Sequence, residues 1–331
     1  MKIFGGIDAG GTRTRLALVR EDGVVLGFAE GGCSSFVELG TGNSIQALSR
    51  LKKEAWASAG LEARPVDGLF IGSGSILHSD DVKTNCALAV SAGLTVADLV
   101  WAENDAWNAL AGALLGRPGI LLIAGTGSAC LGRNAHGQTW RAGGWGHLLD
   151  DIGSAYQLGQ AAMVAATRAA DGRGKTTALT AMVCEKLGLQ DLKQIYRKLH
   201  HDGISRAEVA ALASQVVARA ETGDEVARDI VFEGVEALAE MVKAVARQLK
   251  LPSPEVALTG GLLTNAALFW QELLKQLADE VPGFTIAGGG VIPVLGAVIL
   301  AYENSAQVFP DEIFLQNLRS TAARFSELQP S

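Results

Sequence analysis

Cysteine is scarce in this chain, which has only four cysteines among its 331 residues. They are Cys33, Cys86, Cys130 and Cys184, and no two of them form a CxxC pair. Structural zinc sites and disulfide frameworks are built from recurring, closely spaced cysteines, so this spacing disfavours both. We expect four reduced thiols.

Long apolar runs and clusters of basic residues are also missing. No stretch approaches the roughly 18 uninterrupted apolar residues of a membrane span, and the start, MKIFGGIDAGG, lacks the apolar region of a signal peptide. The formal charge is −7 and no Lys/Arg-rich run occurs, which argues against a nucleic-acid partner. We therefore expect a cytoplasmic enzyme that acts on a small molecule, without nucleic-acid or membrane partners.

The order of apolar segments predicts an α/β fold. Hydrophobic residues make up 48% of the chain, enough for well-formed cores, and the length suits two domains. In the first third, short apolar segments and helical patterns alternate; we predict strands at 2–8, 15–20, 24–29, 67–72 and 98–103, and helices at 43–59 and 82–92. This order suggests a mixed sheet with helices on its faces.

The second half restarts the same pattern. The segment LIAGTGSACLGRNAHG matches GIDAGGTRTRLALVREDG in its order of strand, Gly/Thr-rich turn, strand and turn. This indicates an internal repeat. We predict a first domain over 1–116 and a second over 117–331 with a helical insert, whose terminal helix could return to the first domain. Within the insert, Ser205 and Glu208 form a capping-box pattern.

The first Gly/Thr turn, DAGGTRT, suits phosphate binding. Glycines let backbone N–H groups approach a phosphate without obstruction by Cβ atoms. Asp8, at the end of the preceding strand, is placed to hold magnesium through water, because this ion keeps much of its hydration. The residues assigned to ATP here are Gly10, Gly11, Thr12 and Arg13. An ordinary Gly-rich hairpin with a structural aspartate remains the alternative.

Two later glycine-rich segments extend the same interpretation. The turn that contains Gly125, Thr126, Gly127 and Ser128 is a second candidate phosphate site at the repeat-equivalent position. The segment LTGGLLTN ends a strand with Gly260 and Gly261, which leaves room for an adenine or ribose ring. We assign Asn265, at the end of that segment, to ATP as well. Plain turns and close helix packing are the alternatives.

Polar residues at the end of the strand at 98–103 are candidates for catalysis. Ligands of such sheets usually bind at the carboxyl ends of strands. We predict that Asp105 is a general base that accepts the proton of a sugar hydroxyl, and that Asn104 contacts the substrate. The alternative is that Asn104 or Asp105 caps the following helix.

The segment GGWGHLLDDIGSAY (143–156) suits a sugar. The aromatic face of Trp145 would cover the apolar face of a sugar ring, and Asp151 would bind its hydroxyl groups. The alternative is a loop that precedes a helix capped by Asp151 or Ser154.

Together these motifs resemble a known superfamily. DAGGTRT, LLIAGTGSACL, LTGGL and PVLGAVILA look like the two phosphate motifs, the adenosine motif and the second connecting motif of the actin/hexokinase/Hsp70 superfamily. GGWGHLLDDIGSAY resembles the N-acetylglucosamine kinase branch, within the wider group of BadF/BcrA-type ATPases. The resemblance runs from residue 3 to about 302. It implies two ribonuclease-H-like domains with mixed sheets that face each other across a nucleotide cleft.

The resemblance also implies an activity: transfer of phosphate from ATP, with magnesium, to an amino sugar, foremost N-acetylglucosamine at its 6-hydroxyl, by a homodimer. Asp105 falls on the family's catalytic aspartate, and Thr12 and Thr126 fall on threonines that contact ATP. The positions that fall on the family's sugar pocket are Ser35, Ser73, Asn104, Gly144, Trp145, Asp151 and Ala155.

Two departures from the family pattern concern the sugar. Ile152 stands where the family has Glu, and Ser35 stands where it has a sugar-binding Asn. N-acetylglucosamine, glucosamine and N-acetylmuramic acid therefore all stay open as substrates, whereas the ATP motifs are intact.

Two other functions stay open as well. The first is an ATPase that activates a dehydratase or reductase; such proteins hold an iron–sulfur cluster between paired cysteines at a dimer interface, and no convincing ligand pair stands out here. The second is a non-catalytic sugar-sensing protein, which would need a DNA-binding module, and no extension precedes the first predicted strand.

Overall fold

The computed structural model describes residues 1–325, and the chain divides into two units. The first unit combines Met1–Arg117 with the segment that begins at Ala287, and the second unit is Pro118–Ile286. From the sequence, we predicted that residues 117–331 form a second domain and that only the terminal helix could return to the first domain. In the structure the return begins at Ala287, so the helix Pro293–Ala306 belongs with the first unit.

The first unit is built around a five-stranded mixed sheet in the order β3-β2-β1-β4-β5. Its strands are β1 (Ile3–Ala9), β2 (Arg13–Arg20), β3 (Val25–Gly32), β4 (Gly68–Ser73) and β5 (Val100–Glu103). Its helices are α1 (Phe36–Leu39), α2 (Thr41–Ser58), α3 (Ser79–Ser91), α4 (Ala106–Leu114), α13 (Pro293–Ala306) and α14 (Glu312–Ala322), with a 3-10 turn at Ala97–Leu99.

The second unit contains another five-stranded mixed sheet, in the order β10-β9-β6-β7-β8. Its strands are β6 (Gly119–Ala124), β7 (Ser128–Arg133), β8 (Thr139–Gly143), β9 (Glu255–Thr259) and β10 (Thr285–Ile286). Its helices are α5 (Ala155–Ala170), α6 (Leu179–Leu187), α7 (Ile195–Arg197), α8 (Arg206–Ala210), α9 (Ala213–Glu221), α10 (Glu225–Gln248), α11 (Gly261–Asn265) and α12 (Ala267–Glu280). Short 3-10 and π segments flank α7 at Leu192–Gln194 and Lys198–Asp202.

The two sheets have the same topology, so the predicted α/β fold with two mixed sheets is confirmed. In each sheet the first strand pairs antiparallel with the second and parallel with the fourth, and the third and fifth strands lie at the edges. The correspondence of β1 with β6 and of β2 with β7 brings the two Gly/Thr turns to equivalent positions. The internal repeat seen in the sequence therefore has a structural basis.

Alternation along β1 separates two apolar cores in the first unit. Ile3 and Ile7 are fully buried in a core with residues of α2 and α3, whereas Phe4 packs with α13 and α14. Successive side chains of a strand point to opposite faces, which explains this division. Asp8 therefore lies on the same face of the sheet as Phe4, the face that packs against α13.

Helix α14 is tied to the hairpin that joins β2 and β3. Asn317 donates from Nδ2 to the carbonyl oxygen of Asp22 at 2.8 Å, and Thr321 Oγ1 accepts from Val25 N at 2.9 Å. Gly23 has φ +90, and any Cβ there would overlap the backbone of Phe314. These contacts explain why the chain returns to the first sheet.

Several element boundaries differ from the predictions. The helix predicted at 43–59 spans Thr41–Ser58, and the strand predicted at 24–29 spans Val25–Gly32. The capping box at Ser205 and Glu208 is present as predicted. Among the helices that the structure describes, none combines the length and the apolar character that crossing a bilayer requires.

Close packing of β1 on α13 predicts a stability effect at Gly6. A Cβ at this residue would lie 2.5 Å from Val298 N and 2.6 Å from Val294 O, which are backbone atoms that cannot rotate away. We expect Gly6→Ala to lower the free energy of unfolding by roughly 1–3 kcal/mol, the usual effect of overpacking. Chemical denaturation measures this. Gly32→Ala is the matched control, because a Cβ at Gly32 meets nothing within 4 Å; equal losses in both variants would contradict the packing argument.

Candidate functional site

The turn between β1 and β2 is short and open. Gly10 N donates to Arg13 O at 2.9 Å and closes it, while Gly11, Thr12 and Arg13 are exposed. Neither Gly10 nor Gly11 has a positive φ. A Cβ at Gly10 would meet its nearest neighbour at 3.6 Å, and one at Gly11 would meet nothing within 4 Å. The fold therefore does not require glycine at either position, and the open backbone is accessible to a ligand.

Asp8 lies at the base of this turn and is half-buried. Asn108 of α4 donates from Nδ2 both to Asp8 Oδ1 at 3.1 Å and to Ile7 O at 3.0 Å. Burial raises the pKa of Asp8 above its ordinary value, while the bond from Asn108 and the charge of Arg15 lower it in part. The fold therefore holds the Asp8 carboxylate at a position where burial disfavours its ionised form.

Asp105 occupies the N-cap position of α4, but its side chain does not cap the helix. The Ala106 N–H is instead satisfied by Asn104 Oδ1 at 3.2 Å, and Asn104 Nδ2 donates to Ile76 O at 3.2 Å. Asn104 therefore takes the larger part in capping. Burial raises the pKa of Asp105, and the negative charge of Asp8 raises it further, while the backbone N–H groups of Ala106 and Asp105 lower it only in part. The carboxylates of Asp8 and Asp105 therefore lie within electrostatic reach.

Ser73 also belongs to this group, at the end of β4. It is buried, its Oγ lies 2.8 Å from Ser75 Oγ, and the next residue, Gly74, donates from N to Ala9 O at 3.0 Å. A Cβ on Gly74 would lie 3.3 Å from Asp105 Oδ2, so Gly74 gives the Asp105 carboxylate its space. The structure therefore brings Asp8, Ser73 and Asp105 to one edge of the first sheet.

Ser35 is separate from that group. It stands at the N-cap of α1, makes no side-chain capping bond, donates from N to Cys33 Sγ at 3.4 Å and accepts at its carbonyl from Leu39 N at 3.0 Å. Within residues 1–325, no hydrogen bond joins Ser35 to Asp8, Ser73 or Asp105. Its role in sugar binding stays a prediction.

In the second unit, the turn between β6 and β7 is braced by the start of α5. Gly125 N donates to Gly127 O at 2.9 Å, Ala155 N donates to Gly125 O at 2.8 Å, and Tyr156 N donates to Thr126 O at 3.4 Å. A Cβ at Gly125 would meet nothing within 4 Å. Ala155, predicted to contact sugar, therefore anchors the turn through its backbone.

A cavity of about 670 Å³ in the second unit unites the ATP residues predicted from distant segments. Gly125 and Thr126 line it from one side, and Gly261 and Asn265 from another. Small residues of α8, α9 and their junction complete the wall: Ala207, Ala210, Ala211, Ala213, Ser214 and Ala218. Short side chains on these helices leave the volume open.

Gly260 and Gly261 have different tasks at this cavity. Gly260 has φ +112, and a Cβ there would overlap Ala124 O, so conformation and packing both require glycine. At Gly261 the nearest atom to a Cβ would be Asn265 Nδ2 at 3.9 Å. Only Gly261 lines the cavity, so the predicted open space for a flat ring lies over Gly261 and not over Gly260.

Asp151 is almost fully buried, with 4% of the residue exposed, and has φ +62. Its Oδ1 accepts from Ser128 N at 3.3 Å, and its Oδ2 pairs with Arg206 Nη2 at 3.1 Å. It does not cap α5, because Ser154 does so by accepting from Gln157 N at 3.2 Å. The carboxylate predicted to bind sugar thus lies beneath the second phosphate turn.

Trp145 is exposed over 75% of its surface and borders a second cavity, of about 610 Å³. Asp150 and Ile152 line the same cavity, together with residues of α10. Asp150 also accepts from Trp145 N at 3.5 Å. Gly144 has φ +72 and accepts at its carbonyl from Arg141, whose guanidinium lies 6.0 Å from the Trp145 ring centroid. Asp150, which the sequence analysis left unassigned, is thus the acidic neighbour of Trp145.

Comparison with known proteins places these motifs in a family. The sequence matches the BadF/BadG/BcrA/BcrD ATPase family over residues 6–301. The chain belongs to this family. The match spans both Gly/Thr turns, Asp105 and the cavity residues of the second unit.

Its relatives within this group include sugar kinases. An N-acetylmuramic acid/N-acetylglucosamine kinase of Clostridium acetobutylicum is 32% identical over 303 residues, which cover 91% of this chain and 98% of that protein. An N-acetyl-D-glucosamine kinase of Dictyostelium discoideum is 28% identical over 313 residues, with coverages of 91% and 98%. A crystal structure described as an N-acetylglucosamine kinase of Chromobacterium violaceum has a TM-score of 0.64 at 30% identity, covering 91% of this chain and 99% of that one.

Asp105 is a half-buried carboxylate at the edge of the sheet where ligands are expected to bind. Its ionised form should serve function but lower the stability of the fold. The folded-state pKa of Asp105 lies above its ordinary value of 3.8. The contribution of this group to the stability of the fold is therefore fully present below pH 3.8 and is lost as pH rises through the folded-state pKa. Ionised Asp105 therefore opposes folding at neutral pH. We expect Asp105→Asn to raise the free energy of unfolding at pH 7, with the gain shrinking as pH falls through the folded-state pKa and gone below about 4.

Denaturant unfolding without nucleotide at several pH values measures this gain. Asp98→Asn, at an exposed carboxylate of the same unit, is the control and should show no comparable gain. A loss of stability in Asp105→Asn at pH 7 would mean that the carboxylate has a stabilising partner, against the argument.

Proposed function

We propose that this chain transfers the γ-phosphoryl group of ATP to an amino sugar, foremost to the 6-hydroxyl of N-acetylglucosamine. One observation carries the proposal: Asp105, whose side chain is released from helix capping, lies within electrostatic reach of Asp8 at the base of the open Gly10–Gly11 turn. A base and a phosphate-binding turn on one sheet edge suit phosphoryl transfer to a hydroxyl. The amino sugar kinases of C. acetobutylicum and D. discoideum support the choice of acceptor.

Asp105 is the proposed general base. Because its pKa is raised, the Asp105 carboxylate binds a proton more tightly than an exposed aspartate does. Its partial burial also limits hydrogen bonding of the carboxylate to water. The sugar hydroxyl gives its proton to a carboxylate oxygen of Asp105 as its own oxygen forms the bond to phosphorus. Ser73 and Asn104, near the same edge, are proposed to orient the sugar.

The two glycine-rich turns are proposed to hold ATP. Backbone N–H groups at Gly10 and Gly11 are open to phosphate oxygens, and Thr12 and Arg13 add a hydroxyl and a positive charge. In the second unit, Gly125, Thr126, Gly127 and Ser128 supply the other phosphate contacts. Gly261 and Asn265 line the cavity proposed for adenosine, while Gly260 shapes the backbone beside it.

Asp8 is proposed to hold magnesium, through water. The fit is chemical: the half-buried Asp8 carboxylate, whose pKa is raised, offers the oxygen ligands that this ion prefers. Magnesium, when bound, would neutralise phosphate charge during transfer. Asn108 keeps the Asp8 carboxylate aimed at this edge.

The sugar itself is proposed to contact Ser35, Gly144, Trp145 and Ala155, whereas Asp151, which was predicted to bind sugar, is buried with both carboxylate oxygens engaged. Of these, Trp145 offers the most open aromatic surface. N-acetylmuramic acid and glucosamine stay as alternatives, because Ser35 and Ile152 replace residues of the family's sugar pocket. We further propose a cytoplasmic homodimer.

An activating ATPase of a dehydratase or reductase is the second candidate, since the family is named for ATPases. Cys130, close to the second phosphate turn, is fully buried, and burial raises the pKa of its thiol. Cluster ligands must be thiolates, so Cys130 is a poor ligand, and this makes the second candidate weaker.

ATP consumption with a panel of hexoses, amino sugars and N-acetylated amino sugars tests the proposed activity. We expect turnover with at least one amino sugar and a product phosphorylated at the 6-hydroxyl. Asp105→Ala should reduce that turnover by about 100- to 10,000-fold, the usual contribution of a positioned base, with ATP binding nearly unchanged. No turnover with any sugar would refute the kinase assignment, and an unchanged rate in Asp105→Ala would refute the assigned base.

Filling the cavity of the second unit tests where ATP binds. Ala211 is exposed and lines the cavity, so Ala211→Trp should obstruct it without disturbing a core. We expect the Kd for ATP to rise at least about tenfold, equivalent to roughly 1.4 kcal/mol, as measured by calorimetric titration. Ala57→Trp, at an exposed position of α2 in the first unit, is the matched control. An unaltered Kd in Ala211→Trp would show that the nucleotide lies elsewhere.

A further inference from the structure

Arg206 has no role in the sequence motifs, yet it joins two parts of the proposed nucleotide site. It is the first residue of α8, directly after Ser205, whose side chain caps the helix by accepting from Glu208 N. The next residue, Ala207, and Ala210 on the same helix line the cavity of the second unit. Because Arg206 belongs to the same short helix as Ala207 and Ala210, its position is coupled to this wall of the cavity.

The partner of Arg206 is Asp151, and Asp151 in turn contacts the second phosphate turn. Asp151 Oδ2 pairs with Arg206 Nη2 at 3.1 Å, while Oδ1 accepts from Ser128 N at 3.3 Å. A Cβ on Gly127 would lie 3.1 Å from either carboxylate oxygen, so the Asp151 carboxylate fits closely beneath the turn. One side chain thus connects α8 to Gly127 and Ser128.

Burial makes this connection strong. The Asp151 side chain is 5% exposed, whereas that of Arg206 is 47% exposed. A buried carboxylate that loses its only cation is left uncompensated, which is far costlier than the loss of a surface pair. The guanidinium also lies 5.7 Å from the ring centroid of Tyr156, which favours the same arginine position. Tyr156 N donates to Thr126 O, so this second contact leads to the same turn.

We infer that Arg206 is a positioning residue for ATP: acting through Asp151, it fixes the phosphate turn at Gly127–Ser128 relative to the alanine-lined wall of the nucleotide cavity. The inference rests on the proposed nucleotide site, but not on the identity of the acceptor. It assigns to Asp151 a task on the nucleotide side, whereas the family resemblance assigns it to the sugar. If Asp151 served the sugar alone, changes at Arg206 would leave the binding of ATP unaltered.

Direct titration of ATP in the absence of sugar tests the inference. Arg206→Met keeps an apolar stem but removes the charge, and we expect the Kd for ATP to rise about tenfold, which corresponds to roughly 1.4 kcal/mol. Arg206→Lys keeps a cation and should restore part of the affinity. Arg228→Met is the matched control: Arg228 is exposed and lies over Phe232 at 5.6 Å, much as Arg206 lies over Tyr156, and its loss should leave the Kd for ATP unchanged.

A double-mutant cycle guards against simple unfolding of Arg206→Met. Asp151→Asn removes the buried charge but keeps an acceptor for Ser128 N, so Arg206→Met combined with Asp151→Asn has no unpaired carboxylate and should fold. If the two residues act as one connection, Asp151→Asn alone should also raise the Kd for ATP about tenfold, and the double variant should match either single variant instead of showing the two effects multiplied. A wild-type Kd for ATP in the folded double variant would overturn the inference.

The same experiment separates this inference from the proposed activity. Wild-type protein that binds ATP but phosphorylates no sugar would refute the kinase assignment, while the Kd comparison would still decide the role of Arg206. Wild-type turnover combined with an unchanged Kd for ATP in Arg206→Met would refute the positioning role alone.

Discussion

In the first unit, glycines let β1, α13 and α4 pack backbone against backbone. This packing determines the positions of Asp8 and Asp105. Helix α13 rests on β1 at Gly6, and α4 rests on α13 at Gly296, where any Cβ would overlap the backbone of Asn108 and Gly112. These contacts place Asn108 where its amide reaches Asp8 Oδ1 at 3.1 Å. Because Asp105 directly precedes α4, the same packing brings the proposed base to Asp8. Side chains in place of these glycines would separate the two carboxylates.

Duplication of one topology supplied two turns but not two identical sites. After β1, the turn is preceded by a buried acid and its glycines are free of packing demands. After β6, the turn is preceded by Ala124, and a carboxylate from a later loop, Asp151, braces it from below. The repeat thus fixes where a ligand can meet the backbone. The chemistry differs because each unit surrounds its turn with different later segments, α4 in the first and the loop before α5 in the second.

Local patterns allowed much of this to be predicted from the sequence. Strands, both Gly/Thr turns and the capping box at Ser205 follow from short-range rules, and they occur as expected. The alanine-rich wall at Ala207, Ala210 and Ala211 could not be predicted, because alanine in a helix indicates good helix formation and says nothing about the space beside it. The partner of Asp151 lies 55 residues away, and no local signal indicates such a pairing.

Asp151, which is buried, and Asp8 and Asp105, which are half-buried, differ in the charges that offset their own. This difference separates a carboxylate that positions the backbone from one that can take part in proton transfer. Asp151 is paired with Arg206 through one carboxylate oxygen and accepts from Ser128 N through the other, an arrangement that suits a permanent structural contact. Asp105 has no cationic partner among residues 1–325, and the charge of Asp8 disfavours its ionisation further. A carboxylate whose ionised form is disfavoured readily accepts a proton, which is the property of a general base. Asp8 stands between these cases, because Asn108 and Arg15 offset only part of its burial, and a divalent cation would complete the compensation.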